Sequence, residues 1–283
     1  MLKVDFKQLR NEALHDIILA LEEALEKIGI DYYLIGALAR DAWFQQEKIF
    51  SRTTADVDFA ILVPQKEKFE ELKTFLAREK GYVETKGNSF AMISPGGITV
   101  DILPFGSIEI DEELNMANGK AQVVTNGFKE VFSVALEQFE SEDGQLRIKI
   151  ASLPGIVLLK LIAHQDRPEI RIKDPGDILE ILHHYFDLNS ELIYDQHDNV
   201  FDDEQSLEMI SARVIGREIG KIVSENPTLR QRVNTYLTTE IEKQENGSLI
   251  RLMQRSTEKY NQEEVTAMLS AIVRGMTEVK DRL

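Results

Sequence analysis

Apolar and polar residues follow a helical period at the start of the chain. Over residues 1–28 the apolar positions recur at three- and four-residue spacing, with Glu and Lys between them, which predicts one amphipathic helix. Its first ten residues contain no secretory hydrophobic core. A short strand is predicted at 31–35. It stops at Gly36, and a second helix is predicted at 37–46.

Strand patterns are the main signal over the next hundred residues, with one helix among them at 65–80. The predicted strands are 56–63, 89–93, 98–103, 121–124, 128–134 and 146–150. Pro95-Gly96-Gly97 forms a turn that joins two of these strands in a hairpin. Helices in alternation with partly antiparallel strands predict the α/β (α+β) class, with helices packed on a mixed sheet.

Beyond about residue 150 the pattern is almost entirely helical. The predicted helices are 153–165, 178–186, 204–224, 229–242 and 263–283. Asn226-Pro227 and Asn246-Gly247 mark breaks between helices. We therefore predict an α/β domain over residues 1–150 and a helical domain over residues 151–283.

Charge and cysteine content narrow the class of function. The 283 residues include 33 Lys and Arg against 49 Asp and Glu, a net charge of −16, which argues against binding to nucleic acid driven by phosphate neutralisation. The absence of cysteine excludes disulfides and thiolate chemistry. No apolar run approaches the roughly 20 residues of a membrane span. We therefore expect a soluble cytoplasmic protein with no membrane partner.

Asp56 and Asp58 are the first candidates for chemistry. Residues two apart on a strand project from the same face, so these two carboxylates are expected side by side. Such a pair is costly to bury without a cation, and hard oxygen ligands suit Mg²⁺ or Mn²⁺ holding substrate phosphates. The alternative is an edge strand with two solvated aspartates.

Asp101 stands alone in the apolar segment Ile98–Pro104, where a carboxylate is unusual on a strand with a buried face. If this strand pairs beside the strand of Asp58, three carboxylates converge, as needed for two metal ions in a phosphoryl displacement. The alternatives are an edge strand with Asp101 in solvent, or a turn before Pro104.

Gly36 lies between a predicted strand and a predicted helix. A glycine there lets the backbone approach a phosphate, and the N-terminus of a helix favours an anion. Arg40 follows within about one turn. It is expected to contact an anion, or else to hold Asp41 or a carboxylate of the aspartate triad.

The sequence resembles the pattern of the nucleotidyltransferase superfamily of the DNA polymerase beta type. The residues that carry the resemblance are, in chain order, Gly36-Ala37, Asp56 with Asp58, and Asp101. Within that superfamily, the segment from Arg52 to Asp58 resembles the Arg-x-Thr-x-Asp-x-Asp signature of minimal nucleotidyltransferases and AbiEii-type toxins. The resemblance implies a mixed-sheet nucleotidyltransferase core followed by a helical domain. Ala37 departs from the family's Gly-Gly or Gly-Ser pair, which leaves a backbone N–H rather than a hydroxyl for a phosphate.

The resemblance extends into the helical half through Lys160, Arg167 and the later Asp177. It implies that Lys160 reaches the nucleotide triphosphate and that Arg167 and Asp177 support the site. From the residues alone, a lysine in an apolar helix either extends to solvent or is directed at an anion. Asp174 and Asp177 also fit the preference of acidic residues for the first turn of a helix.

The function implied is transfer of a nucleoside monophosphate from an NTP to an acceptor hydroxyl with release of pyrophosphate. Asp56, Asp58 and Asp101 would be the catalytic and metal-binding residues. Gly36, Ala37, Arg40, Arg52 and Lys160 would bind the nucleotide phosphates. The acceptor stays open among a small molecule, a protein and an RNA end.

Two other functions are open. One is a catalytically silent nucleotide-binding protein, or a toxin–antitoxin interaction protein, on the same scaffold. The other is an interaction protein dominated by the helices of residues 190–283, which also suit a homodimer.

Weaker candidates lie in the helical half. His183 and His184 are adjacent, so their side chains diverge by about 100° and make a poor chelating pair. An acidic loop that is solvated, rather than a calcium site, is predicted for Asp195, His197, Asp198, Asp202 and Asp203. Trp43 and Phe44, in the first half, are predicted to pack in a core.

Overall fold

The computed structural model describes residues 1–6, 12–49, 57–106, 113–115, 122–202 and 206–280. The chain divides into two compact units, Met1–Ala151 and Ser152–Leu283. No helix in the described part of the chain is long and apolar enough to span a membrane.

The first unit is built on a mixed sheet, and its predicted α/β class is confirmed. The strands are β1 Leu2–Val4, β2 Asp31–Ile35, β3 Val57–Leu62, β4 Val83–Glu84, β5 Ala91–Ile93, β6 Thr99–Phe105, β7 Glu113–Asn115, β8 Gln122–Val124, β9 Leu136–Ser141 and β10 Arg147–Ala151. Eight of them form one sheet in the order β1-β9-β10-β2-β3-β6-β5-β4, and β7 pairs with β8.

The described residues of this unit contain the α-helices α1 Glu12–Ile28, α2 Gly36–Phe44, α3 Lys66–Lys80 and α4 Phe128–Val134. Apolar side chains of α1 are buried at helical spacing, for example Leu14, Ile18, Leu21 and Leu25. The predicted packing roles of Trp43 and Phe44 are confirmed, because both are buried. The indole Nε1 of Trp43 donates a hydrogen bond to the carbonyl of Ala151 at 2.9 Å.

Two predictions for the first unit were wrong, and three of its strands were not predicted. Residues 2–4 form strand β1, paired with β9, and are not part of an N-terminal helix. Residues 128–134, predicted as a strand, form α4, in which Phe128 and Val131 are buried one helical turn apart. Strands β4, β7 and β9 were not predicted.

The second unit is helical, with α5 Leu153–Asp166, α6 Asp174–Gln196, α7 Leu207–Ile222, α8 Pro227–Lys243, α9 Ser248–Ser256 and α10 Gln262–Glu278. Helices α7 and α10 approach closely because they meet at glycines. A Cβ added at Gly216 would overlap the carbonyl of Ile272, and one added at Gly275 would overlap that of Arg213. Helix α9 was not predicted, and α6 is much longer than the predicted 178–186.

Candidate functional site

Asp58 on β3 and Asp101 on β6 lie directly opposite each other. The two strands pair in parallel, and the Cα atoms of the two aspartates are partners in that register. Val57 and Phe59 alternate with Asp58 and are buried, whereas Asp58 and Asp101 are each half-buried. The expected pairing of these strands is therefore present, and it brings two carboxylates to one face of the sheet.

Neither strand is at the edge of the sheet. Strand β3 lies between β2 and β6, and β6 lies between β3 and β5. The edge-strand alternatives for Asp58 and Asp101 are therefore wrong. Two carboxylates in the interior of a sheet need a compensating environment, because each is partly removed from water.

Gly36 lies against Asp58 at the end of the neighbouring strand. Strand β2 ends at Ile35, whose Cα partner on β3 is Asp58, and α2 begins at the next residue. Gly36 has φ +72°, and an added Cβ would overlap Oδ2 of Asp58 and lie 2.9 Å from its Cγ. Only glycine fits this position without displacing the carboxylate. The N-terminus of α2 therefore lies beside Asp58, where helix geometry favours negative charge.

Asn88 is a polar neighbour of this pair that sequence analysis missed. Its side-chain Nδ2 donates to Oδ1 of Asp101 at 3.4 Å, and its Oδ1 accepts from the backbone N–H of Phe90 at 3.0 Å. The second bond fixes the amide so that its donor is directed at the carboxylate. No motif marks Asn88 in the sequence, because its proximity to Asp101 follows from the hairpin of β5 and β6.

Ala37 and Arg40 follow Gly36 along α2. Arg40 is fully buried, and its Nε and Nη2 donate to Oδ1 of Asp41 at 3.0 and 2.8 Å. Its guanidinium also lies over the Phe44 ring, 5.6 Å from the centroid. Arg40 therefore holds Asp41, which was one of the alternatives expected from the sequence. A contact between Arg40 and a phosphate stays a prediction.

Two of the predicted site residues, Arg52 and Asp56, lie outside the described residues. Among the residues that are described, no group of three or more His, Asp or Glu side chains is arranged to hold a metal ion. The three-carboxylate site thus stays a prediction, of which Asp58 and Asp101 are the described part.

Lys160 in the second unit is buried between two aspartates. Its Nζ donates to Oδ1 of Asp174 and to Oδ2 of Asp177, both at 2.7 Å. The two acids occupy the first turn of α6, as their helix preference predicts. Burial by itself lowers the pKa of Lys160, but the two carboxylates outweigh it and raise the pKa above its usual value. Lys160 is therefore directed at anions and does not extend to solvent.

Arg167 directly follows the last residue of α5 and is half-buried. Its backbone N–H donates to the carbonyl of Ala163, and its own carbonyl accepts from the N–H groups of Ile170 and Arg171. The backbone of Arg167 thus fixes the turn between α5 and α6. The supporting roles of Arg167 and Asp177 toward a nucleotide stay predictions.

The weaker candidates have structural partners. His183 contacts Tyr260 through Nδ1 and Lys259 through Nε2. His197 is buried, and its Nε2 lies 3.0 Å from Oε1 of Glu218, so the prediction of a solvated loop was wrong there. The segment Asp198–Asp202 forms a 3₁₀-helix rather than a loop.

The chain has a family assignment. Residues 20–278 match the family described as "Nucleotidyl transferase AbiEii toxin, Type IV TA system". This match covers most of the chain, so the chain belongs to that family, and the resemblance drawn from the motifs is confirmed. A comparison with curated proteins found no match.

Several solved structures are similar to this chain. An antigenic nucleotidyltransferase-like protein from Paracoccidioides brasiliensis is 14% identical, with 66% of this chain and 89% of that chain covered and a TM-score of 0.40. The antibiotic-resistance factor ANT(2'')-Ia is 13% identical, with coverages of 71% and 100% and a TM-score of 0.37. A CCA-adding enzyme in complex with ATP is 14% identical, with coverages of 91% and 66% and a TM-score of 0.32.

Proposed function

We propose that this protein transfers a nucleoside monophosphate from an NTP to an acceptor hydroxyl and releases pyrophosphate. One observation carries the proposal: Asp58 and Asp101 share a register position on adjacent parallel strands, with the helix N-terminus at Gly36 beside Asp58. Membership of the AbiEii nucleotidyl transferase family supports it. A pair of carboxylates next to a phosphate-favouring helix end is what phosphoryl chemistry requires.

The donors present fit Mg²⁺ or Mn²⁺. Asp58 and Asp101 offer hard carboxylate oxygens on one face of the sheet, and Asp56 precedes Asp58 by two residues. We assign Asp56 and Asp58 to the metal that accompanies the triphosphate, and Asp101 to the metal next to the acceptor. A bound divalent ion would supply charge neutralisation for the phosphates. Asp101 also accepts the hydroxyl proton of the acceptor, while Asn88 holds the orientation of its carboxylate.

Phosphate binding is assigned to the backbone at Gly36 and Ala37. The absence of a Cβ at Gly36 makes room for the Asp58 carboxylate beside the start of α2, and the first N–H groups of α2 have no partner within the helix. Arg40 and Arg52 are proposed to counter phosphate charge.

Lys160 is also proposed to counter the charge of the nucleotide phosphates, with Arg167 and Asp177 supporting the site. Its ammonium has three N–H donors, of which Asp174 and Asp177 take two. The third is the donor that a phosphate contact would use.

The family description adds a biological role, that of the toxin in a type IV toxin–antitoxin system. We propose that nucleotidyl transfer is the toxic activity and that it takes place in the cytoplasm, where NTPs are available. The acceptor is a small molecule, a protein or an RNA end. With a net charge of −16, contact with the end of an RNA is favoured over contact with a long duplex.

The test is incubation of the purified protein with each labelled NTP, Mg²⁺ or Mn²⁺ and a cell extract. We expect label on one acceptor class and release of pyrophosphate. Asp58→Asn and Asp101→Asn should each reduce transfer by about 100-fold or more, since metal stabilisation is worth several kcal/mol.

Asp31→Asn is the matched control. It lies at the other end of β2 and is exposed, so the variant should transfer at the wild-type rate. Unchanged transfer in both Asp58→Asn and Asp101→Asn would contradict the proposed mechanism. Binding of Mg·NTP without release of pyrophosphate would favour the catalytically silent nucleotide-binding protein instead.

A further inference from the structure

Three aromatic rings cluster on the surface of the helical unit, and none of them has a role in the proposed nucleotidyl transfer. Tyr194 and Phe201 are stacked, with ring centroids 5.0 Å apart and planes 12° from parallel. Phe186 lies edge-on to both, at 6.0 and 6.3 Å. Tyr194 is 58% exposed despite this packing. A large aromatic side chain held rigidly at the surface is characteristic of an interaction site.

Neighbouring residues of the helical unit hold this cluster in place. Helix α6 is kinked at Asn189, whose side-chain Nδ2 donates to the carbonyl of Tyr185 at 3.2 Å. The 3₁₀-helix that carries Phe201 is anchored by Val200, which is fully buried. His197, between the two stacked rings in sequence, is fixed by Glu218 of α7. The rings are therefore preorganised, which lowers the entropy lost on binding.

The chemistry around the rings is acidic. Each ring is followed directly in sequence by an exposed aspartate, namely Asp187, Asp195 and Asp202. Between residues 186 and 204 there are seven Asp and Glu and no Lys or Arg. We call the three rings and these three aspartates the aromatic–acidic patch.

We propose that the aromatic–acidic patch docks a basic segment of a partner protein, through an arginine that stacks on Tyr194. Guanidinium groups combine planar stacking on aromatic rings with bonds to carboxylates, so one side chain satisfies both features of the patch. A nucleobase also stacks on tyrosine, but Asp187, Asp195 and Asp202 would repel its phosphates. A second copy of this chain is disfavoured by its own net charge of −16.

The experiment measures fluorescence anisotropy of a labelled peptide with repeated Gly-Arg-Ser, titrated with the full chain. The comparison peptide has citrulline in place of arginine, which keeps the shape and removes the charge. We expect binding of the arginine peptide alone, weakened by added salt. Tyr194→Ala should weaken binding of the arginine peptide about five-fold or more. Tyr194→Phe keeps the aromatic ring for stacking and should bind the peptide nearly as tightly as wild type.

Matched variants separate the patch from general surface effects. Asp195→Asn with Asp202→Asn should weaken binding. Glu67→Gln with Glu79→Gln removes the same charge from α3 and should leave it unchanged. Val83→Ala trims a residue that is 61% exposed elsewhere and should also have no effect. Urea unfolding midpoints equal to wild type would show that each variant is folded.

Several results would overturn the proposal. One is an affinity for the citrulline peptide equal to that for the arginine peptide. Another is a loss of affinity in the Glu67→Gln, Glu79→Gln variant equal to that in the Asp195→Asn, Asp202→Asn variant. Tighter binding of a single-stranded oligouridylate than of the peptide would assign the patch to nucleic acid. Self-association in sedimentation that Tyr194→Ala abolishes would assign it to a second copy.

Discussion

Two pairs of aspartates in this chain are held in opposite ways. Asp174 and Asp177 are buried and share the Lys160 ammonium, which lies 2.7 Å from each. Asp58 and Asp101 are half-buried on parallel strands, beside a helix N-terminus. The first pair carries its cation within the chain, whereas for the second we propose a divalent ion from solution. On that proposal, a carboxylate pair has a structural role in one unit and a ligand-binding role in the other, according to the cation that its surroundings supply.

The largest effect is expected at the buried lysine. Lys160→Met leaves two buried carboxylates without their cation, which should cost about 3–5 kcal/mol in the free energy of unfolding. Adding Asp174→Asn and Asp177→Asn to that variant should restore part of the loss. Lys173→Met, at an exposed neighbour, is the control and should change stability by less than about 0.5 kcal/mol. Urea unfolding measures all three, and a loss below about 1 kcal/mol for Lys160→Met would contradict the structural role.

A smaller but more specific effect is expected from Gly36→Ala. Its matched control is Gly29→Ala, because Gly29 has nearly the same φ, +74°, with nothing within 4 Å of an added Cβ. Both variants should lose about 1–2 kcal/mol from backbone strain. Gly36→Ala should also displace Asp58 and lose Mg·NTP binding, which calorimetry measures. Equal nucleotide binding by the two variants would show that the contact between Gly36 and Asp58 has no functional role.

The helical unit should also respond to pH through His164. Burial lowers its pKa, with a smaller opposing effect from Asp174 and Glu240. Below about pH 6.5 the unfolded chain binds a proton that the folded chain resists, so stability should fall as the pH is lowered from there. His164→Gln should reduce this fall. Urea unfolding at pH 7.5, 6.5 and 5.5 tests it, and identical pH dependence in the two proteins would exclude a contribution from His164.

The smallest effect is expected at an exposed lysine–aspartate pair of the first unit. Lys149 Nζ lies 3.2 Å from Oδ1 of Asp31, with side chains 40% and 60% exposed. Lys149→Met should cost no more than about 0.5 kcal/mol, because water screens such a pair. A cost close to that of Lys160→Met would mean that burial is not the source of the difference.

Local patterns identified most of the elements that bury an apolar face. The short apolar run of β3 and the helical spacing of apolar residues in α1 are both local signals, so both elements were predicted from their own residues. The helix at residues 128–134 was not predicted, because Phe and Val favour strands locally. This helix depends on the burial of Phe128 and Val131 within the folded unit. Strand β1 depends on pairing with β9, more than 130 residues away in the chain.

The sequence by itself determined the candidate chemistry: a glycine between strand and helix, an Asp-x-Asp pair and a later lone Asp, in the order that defines the family. Residue type and order along the chain suffice there, because each part of the motif is a short segment that can be identified without its partners. Tertiary structure alone decided that Asp101 meets Asp58 in register, that Asn88 donates to it, and that Lys160 is shared by Asp174 and Asp177. These contacts join residues 13 to 43 positions apart, so they follow from strand register and helix packing, which no local pattern specifies.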